Sequence, residues 1–389
     1  MRRTTCFILL IAGAFLANAE DELAHAQRLK SSLLGFDTHI DTIQRVFYSH
    51  TDLGQRLPDG QVDLPRLKEG GMHVPFFALW VPTYYKGAEA VRKTLDLRDS
   101  MQGVLDRYPD RVELALTGAD VERIVKSGKI AAVLTLEGGH QIADDLAVLR
   151  MYQRIGIRAM TLTHFRNNNW ADSSTDKPEH NGLTDFGKQV VREMNKIGMM
   201  VDISHVSDKT FYDVLTVTNK PVIASHSSCR ALAEIPRNMT DDMLRALAKN
   251  GGVVGINFGG GFVNQKDAKS LMASIGTMAS LEPNLTGAAL DDYAVKDFKQ
   301  NDWAHPRPAN ATLDDVVAAI DHVVKVAGVE HVGIGTDFDG IPDVPKGLED
   351  TSKMPFLVAA LLKKGYSEAD IQKIMGGNTL RVMKQVVGK

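Results

Sequence analysis

The sequence predicts an α/β fold, a parallel (β/α)8 barrel of the TIM type, with a long insertion after the seventh strand and helices at its C-terminal end. Three observations predict it. Eight strand-like apolar runs alternate with segments of helical periodicity, the pattern of a parallel sheet with helical crossovers. Six of those runs end in a residue that can bind a metal or move a proton, and the loops after the strands of such a barrel open on one face. No internal repeat, low-complexity tract or good domain boundary interrupts the 389 residues, of which 44% are hydrophobic and 24% charged, an ordinary globular balance.

The chain opens with Met1-Arg2-Arg3, an apolar run from Cys6 to Leu16 and the small-residue triplet Ala17-Asn18-Ala19. A charged start, a short apolar stretch and a small-x-small site predict a signal peptide over 1–19, leaving 20–389 as one domain. The run falls short of the ~20 residues a spanning helix needs. Its removal takes Cys6 and leaves only Cys229, so no internal disulfide is expected. Cys6 precedes the apolar stretch, which argues against a lipoprotein, and the polar end Arg381 to Lys389 lacks a lipid-anchor tail. A secreted or periplasmic protein without a stable membrane anchor is expected. The net charge of -3, with both signs scattered along the chain, provides no basic stripe, so nucleic-acid binding is not indicated.

The expected strands span 33–41, 73–82, 130–137, 157–164, 198–205, 221–226, 251–258 and 331–337. Helical periodicity covers 88–108, 118–127, 144–155, 184–197, 207–217 and 240–249, with Thr117, Ser207 and Thr312 as N-cap candidates. The segment Gly259 to Ala311, rich in Gly, Asn and Pro, is too long for a plain connection and is expected to shape or cover a site. Residues 351–387 read as two or three short helices, broken at Gly376-Gly377-Asn378.

Six strand ends carry the chemistry. His39 and Asp41 are two apart, and residues i and i+2 of a strand point to one side, so both can reach one ion. Asp37 shares their parity and could orient a ligand. Glu137, before Gly138-Gly139, offers two oxygens where the chain turns. His164, His205, His226 and Asp337 end four further runs. Imidazole and carboxylate together suit zinc or a similar divalent ion. His25, His50, His180, His305, His322 and His331 read as surface or packing residues, His73 lies at the wrong strand end, and Cys229 reads as packing. His140 follows Glu137 closely enough to support it from behind, but it too reads as a packing residue.

Taken together, FDTHID (36–41), LEGG (136–139), TLTH (161–164), DISHVS (202–207), SHSS (225–228), PRNMTDD (236–242) and GTDFDG (335–340) resemble the membrane dipeptidase family of zinc peptidases, within the metal-dependent hydrolase superfamily. The resemblance covers nearly all of the chain after its first residues. It implies two Zn2+ ions bridged by Glu137, one held by His39 and Asp41 and the other by His205 and His226. Asp337 would lie beside the first ion as ligand or proton carrier. The resemblance makes His164 the contact to the substrate carbonyl oxygen and Arg237 the partner of the substrate's terminal carboxylate, a task that suits a planar guanidinium. It also implies dipeptide substrates and a homodimer. The chain lacks the disulfide cysteines and lipid-anchor signal of the animal members, which weakens the expectation of membrane attachment and a disulfide-linked dimer and makes it look like a bacterial relative.

Two other readings compete. Another binuclear barrel hydrolase, such as an amidase, lactonase or phosphotriesterase, often carries H-x-H on the first strand and a modified lysine bridge, whereas this chain offers H-x-D and Glu137. A non-catalytic envelope protein binding metal or peptide would be expected to have lost a ligand or Asp337, and all are present.

Overall fold

A computed structural model describes residues 22–30 and 32–388, so the expected signal peptide lies outside the described residues. Eleven strands occur among them: β1 (Gly35–Ile40), β2 (Met72–Trp80), β3 (Val112–Leu114), β4 (Ile130–Glu137), β5 (Ile157–Thr161), β6 (Met200–Asp202), β7 (Ile223–Ser227), β8 (Val253–Ile256), β9 (Arg307–Thr312), β10 (Val332–Ile334) and β11 (Asp343–Lys346). Eight of them run parallel in the order β1-β2-β4-β5-β6-β7-β8-β10, corresponding to the eight expected runs.

The seam between β10 and β1 is closed by hydrogen bonds around the candidate site. Asp337 N donates to His39 O at 3.0 Å and Asp41 N to Phe338 O at 2.9 Å. Asp37 accepts from Thr336 N at 2.9 Å and Thr336 Oγ1 at 2.6 Å. Asp37 therefore supports the site through backbone at the seam, with no hydrogen bond to a ligand ring among the described contacts.

Residue parity sets what points inward. Ala131 and Val133 of β4 join Phe36, Phe76, Ala159, Met200, Ile223 and Val253 in one buried cluster. Side chains from seven strands can meet this way only in the barrel lumen. Ala132, Leu134 and Leu136 pack instead in the larger cluster under the helices. Glu137 keeps the parity of Ala131 and Val133, which aims its carboxylate into the lumen at the C-terminal face. Val382, Met383 and Val386 of the helix Asn378–Val386 join the lumen cluster. That helix closes the opposite end.

Thr117, Ser207 and Thr312 cap helices at the expected places, Thr312 within a capping box with Asp315. The C-terminal helices break at Gly376, whose missing Cβ would stand 2.0 Å from Leu34 O. The insertion after β8, the seventh barrel strand, folds into helices Gly260–Val263, Gln265–Ala279 and Gly287–Asn301 and continues into β9. Pairing of β9 with β11 ties it to the loop after β10. Tyr84 and Tyr85 tie it to the barrel through Asp297 and Asp291, at 2.9 and 2.8 Å.

Several expected boundaries shift. The strand expected over 157–164 ends at Thr161, that over 198–205 at Asp202 and that over 331–337 at Ile334. His164, His205 and Asp337 therefore sit three residues beyond their strands. His205 and Asp337 have φ of 68° and 63°, left-handed conformations that L side chains adopt at a cost. Such a turn redirects a side chain in a way that continued strand alternation cannot. Asp41 also lies outside β1, as the residue preceding the helix Thr42–Ser49, so its approach to His39 comes from the strand-to-helix turn and not from strand parity.

Candidate metal centre

Glu137 lies at the centre of the site and is 4% exposed. Its Oε2 stands 3.4 Å from His39 Nε2. Its Oε1 stands 3.1 Å from His205 Nε2, 3.4 Å from His226 Nε2 and 3.6 Å from His164 Nε2. One carboxylate thus faces two sets of donors. Asp41 Oδ2 approaches His39 Nε2 at 3.4 Å, and the ligand atoms of His39, Asp41 and Asp337 lie within 4.8 Å of one another. The same holds for His39, Glu137 and His226, and for Glu137, His164 and His205.

The electrostatics favour a cation. Burial pushes Asp337 up to about 7 and Asp41 up to about 6, and raises Glu137 as well. Burial alone would lower His39, but Glu137 and Asp41 outweigh it and hold the imidazole well above its usual range. His205 and His226 are held well below theirs, by burial first and by neighbouring positive charge second. Acids that burial makes proton-hungry, beside the neutral imidazoles of His205 and His226, form a donor set suited to a borderline divalent metal. His39 Nε2 is buried without a hydrogen-bond partner, as a ligand nitrogen facing an ion would be.

Supporting bonds fix the imidazole tautomers. Ser225 Oγ donates to Asp202 Oδ2 at 2.5 Å. Its single proton is then used, so His226 Nδ1, 2.8 Å away, must donate to it. This leaves a lone pair on His226 Nε2, the arrangement expected of a metal-ligating histidine. His164 has the reverse pattern. Trp80 Nε1 donates to His164 Nδ1 at 3.4 Å, which places the ring proton on Nε2. Distance alone groups His164 with the ligands; its tautomer makes it a donor.

The match to known proteins agrees with this donor set. Residues 23–388 match the model of the membrane dipeptidases, peptidase family M19. The chain belongs to the membrane dipeptidase family. It is a metal-dependent dipeptidase by class. Dipeptidase verJ of Clonostachys rogersoniana is 36% identical over 387 residues, covering 95% of this chain and 89% of that one. Dipeptidase tcpJ of Claviceps purpurea is 38% identical over 337 residues, 84% of this chain and 69% of that one. Among solved structures, the probable dipeptidase PvdM from Pseudomonas aeruginosa superposes with a TM-score of 0.78 at 27% identity, over 95% of this chain and 99% of that one.

In this dipeptidase, Arg237 lies in the loop after β7, 3% exposed. Its Nη2 donates to His226 O at 3.1 Å, while Nε is buried without a partner. Burial lowers the guanidinium only to about 10, so it stays charged near neutral pH. Arg237 lines one cleft together with Asp41, Glu137, His164, His205 and Asp337.

Three neighbours escaped the sequence reading. Asn257 Nδ2 donates to Asp337 Oδ2 at 2.8 Å, Trp80 fixes His164, and Gly340 leaves space between Asp41 and Asp337. Asn257 and Trp80 do close apolar runs, so the strand-end signal was there, but neither residue titrates. His140 donates from Nε2 to Val81 O at 3.0 Å, turned to the backbone after β2 and not to Glu137. Cys229 is buried, and burial pushes its thiol up to about 12.

Proposed function

We propose that the protein is an exported zinc dipeptidase with two ions bridged by Glu137, acting on dipeptides with a free C-terminal carboxylate. The observation that carries this reading is the division of Glu137's oxygens, Oε2 toward His39 and Oε1 toward His205 and His226. His39 and Asp41 would hold one ion, with Asp337 beside it, and His205 and His226 the other. Bound divalent ions would supply a Lewis acid for the peptide carbonyl and make water acidic enough to lose a proton near neutral pH.

The chain's own residues do the rest. Asp337 takes a proton from the attacking water and delivers it to the leaving amine. Asn257 occupies Oδ2, leaving Oδ1 for that exchange. His164, neutral because burial depresses its pKa, donates from Nε2 to the carbonyl oxygen as it gains negative charge. Arg237 pairs with the terminal carboxylate, and its Nε is the donor that the protein leaves without a partner. A carboxylate held so close to the cleavage centre limits the substrate to two residues.

Export rests on the charged, apolar and small-residue order of the first nineteen residues. Among the described residues no helix is long and apolar enough to cross a membrane.

A dipeptide panel assayed with and without chelator tests the core of the reading. Hydrolysis should vanish with chelator and return with zinc. C-terminally amidated dipeptides should resist cleavage, and Arg237→Met should mainly raise KM. Equal rates on free and amidated substrates would remove Arg237 from its role.

A further inference from the structure

We propose that this dipeptidase selects substrates with an apolar side chain on the C-terminal residue, received by a wall that the insertion builds beside Arg237. The inference rests on the dipeptidase reading and deepens it. The charged residues lining the cleft are Asp41, Glu137, Arg237 and Asp337, all already assigned to metal, proton or carboxylate. The insertion and the loop after β10 contribute Phe262, Leu271, Ile275, Met278, Ile341 and Pro342 to the same lining.

Leu271, Ile275 and Met278 stand at i, i+4 and i+7 of the helix Gln265–Ala279, a spacing that forms one stripe. Lys266, Lys269 and Ser270 of that helix are exposed to solvent. The helix therefore turns its apolar side to the cleft and its lysines to water, while Asp267 is buried against Asn310 and Ala311 of β9. Leu271 and Ile275 are 4% and 2% exposed, and Met278 is half-buried.

Arg237 supplies the link to one end of the substrate. Its guanidinium carbon stands 5.3 Å from the Phe262 ring centre. In a dipeptide the terminal carboxylate and the C-terminal side chain share one Cα. A carboxylate paired with Arg237 thus brings that side chain to Phe262 and the stripe beyond it. An apolar side chain loses water there favourably, by a factor of about four per methylene. A charged one loses water without finding a partner in the wall.

The test uses metal-replete full-length protein and a Gly-X series with X as Ala, Val, Leu, Asp and Lys. kcat/KM should rise roughly tenfold or more from Ala to Leu, with Asp and Lys below Ala. Phe262→Ala should pull Leu back toward Ala. Met278→Lys, at a half-buried position that tolerates the change if Phe262→Ala misfolds, should raise Asp relative to Leu at least tenfold. Cleavage of Gly-Ala with no rise toward Leu, or an Asp-to-Leu ratio that Met278→Lys leaves unchanged, would overturn the wall and leave the dipeptidase reading intact. Failure to cleave any dipeptide would overturn both.

Discussion

Nε2 of His205 and Nε2 of His226 stand 2.9 Å apart, both close to Oε1 of Glu137. Two imidazole nitrogens and a carboxylate oxygen converge there on one buried point. The Asp202–Ser225 relay gives His226 a lone pair on that nitrogen, so the convergence is built to bind a cation. On the proposed two-zinc reading, His226→Ala should reduce bound zinc from two equivalents to about one, measured by elemental analysis of purified protein. Glu137→Gln, which keeps the shape but replaces one oxygen with an amide, should weaken both ions and lower turnover by roughly 100-fold or more. Full metal content in Glu137→Gln would rule out the bridge.

His164 and Trp80 form a second pair. If His164 stabilises the developing oxyanion, His164→Ala should cost roughly 100 to 1,000-fold in kcat with metal content close to that of the native protein. Trp80→Phe keeps an aromatic ring but removes the N–H that selects the tautomer. It should lower kcat about tenfold and leave metal content unchanged. Loss of zinc in His164→Ala would instead make His164 a ligand, as its 3.6 Å approach to Glu137 alone would permit.

The barrel itself was legible in the sequence because period-two apolar runs and capped helices are local signals. Glu137 was legible for the same reason: it lies within β4, and its parity follows from Ala131 and Val133. His205 and Asp337 were found as strand ends although the strands stop three residues earlier. Their left-handed turns depend on contacts across the barrel mouth, which no local pattern encodes. The short strands β3, β9 and β11 were not legible, because three to six residues of mixed character carry no clear alternation. The cleft wall was also hidden, since Leu271, Ile275 and Met278 look like an ordinary buried helix face until the insertion's position over the site is known.

His140 supplies a pH-dependent term outside the metal ligands. Burial pushes its imidazole down to about 4, while in the unfolded chain it titrates near 6.5. The folded state therefore keeps His140 neutral where the unfolded state takes a proton, and stability falls as pH drops from about 6.5 toward 4. The side chain retains some exposure, which reduces the loss to about 1–2 kcal/mol. Urea unfolding at pH 7 and pH 5 should show a smaller acid loss for His140→Gln than for the native protein. An identical loss in both would place the acid sensitivity elsewhere.

Gly340 tests whether the space between the carboxylates matters apart from the carboxylates themselves. A Cβ there would lie 2.1 Å from Asp41 Oδ2 and 2.9 Å from Asp337 Oδ1. Its backbone is not in the left-handed region, so alanine adds no conformational penalty; the conflict is only with the two side chains. Either acid could rotate away to relieve it, but both lie in the group formed with His39, and rotation moves an oxygen off the shared point. Gly340→Ala should keep the circular dichroism of the native fold while losing roughly one equivalent of metal and about 100-fold in turnover. Native metal content and turnover in that variant would mean that Asp41 and Asp337 can bind from other rotamers, and that their convergence in this structure is not required.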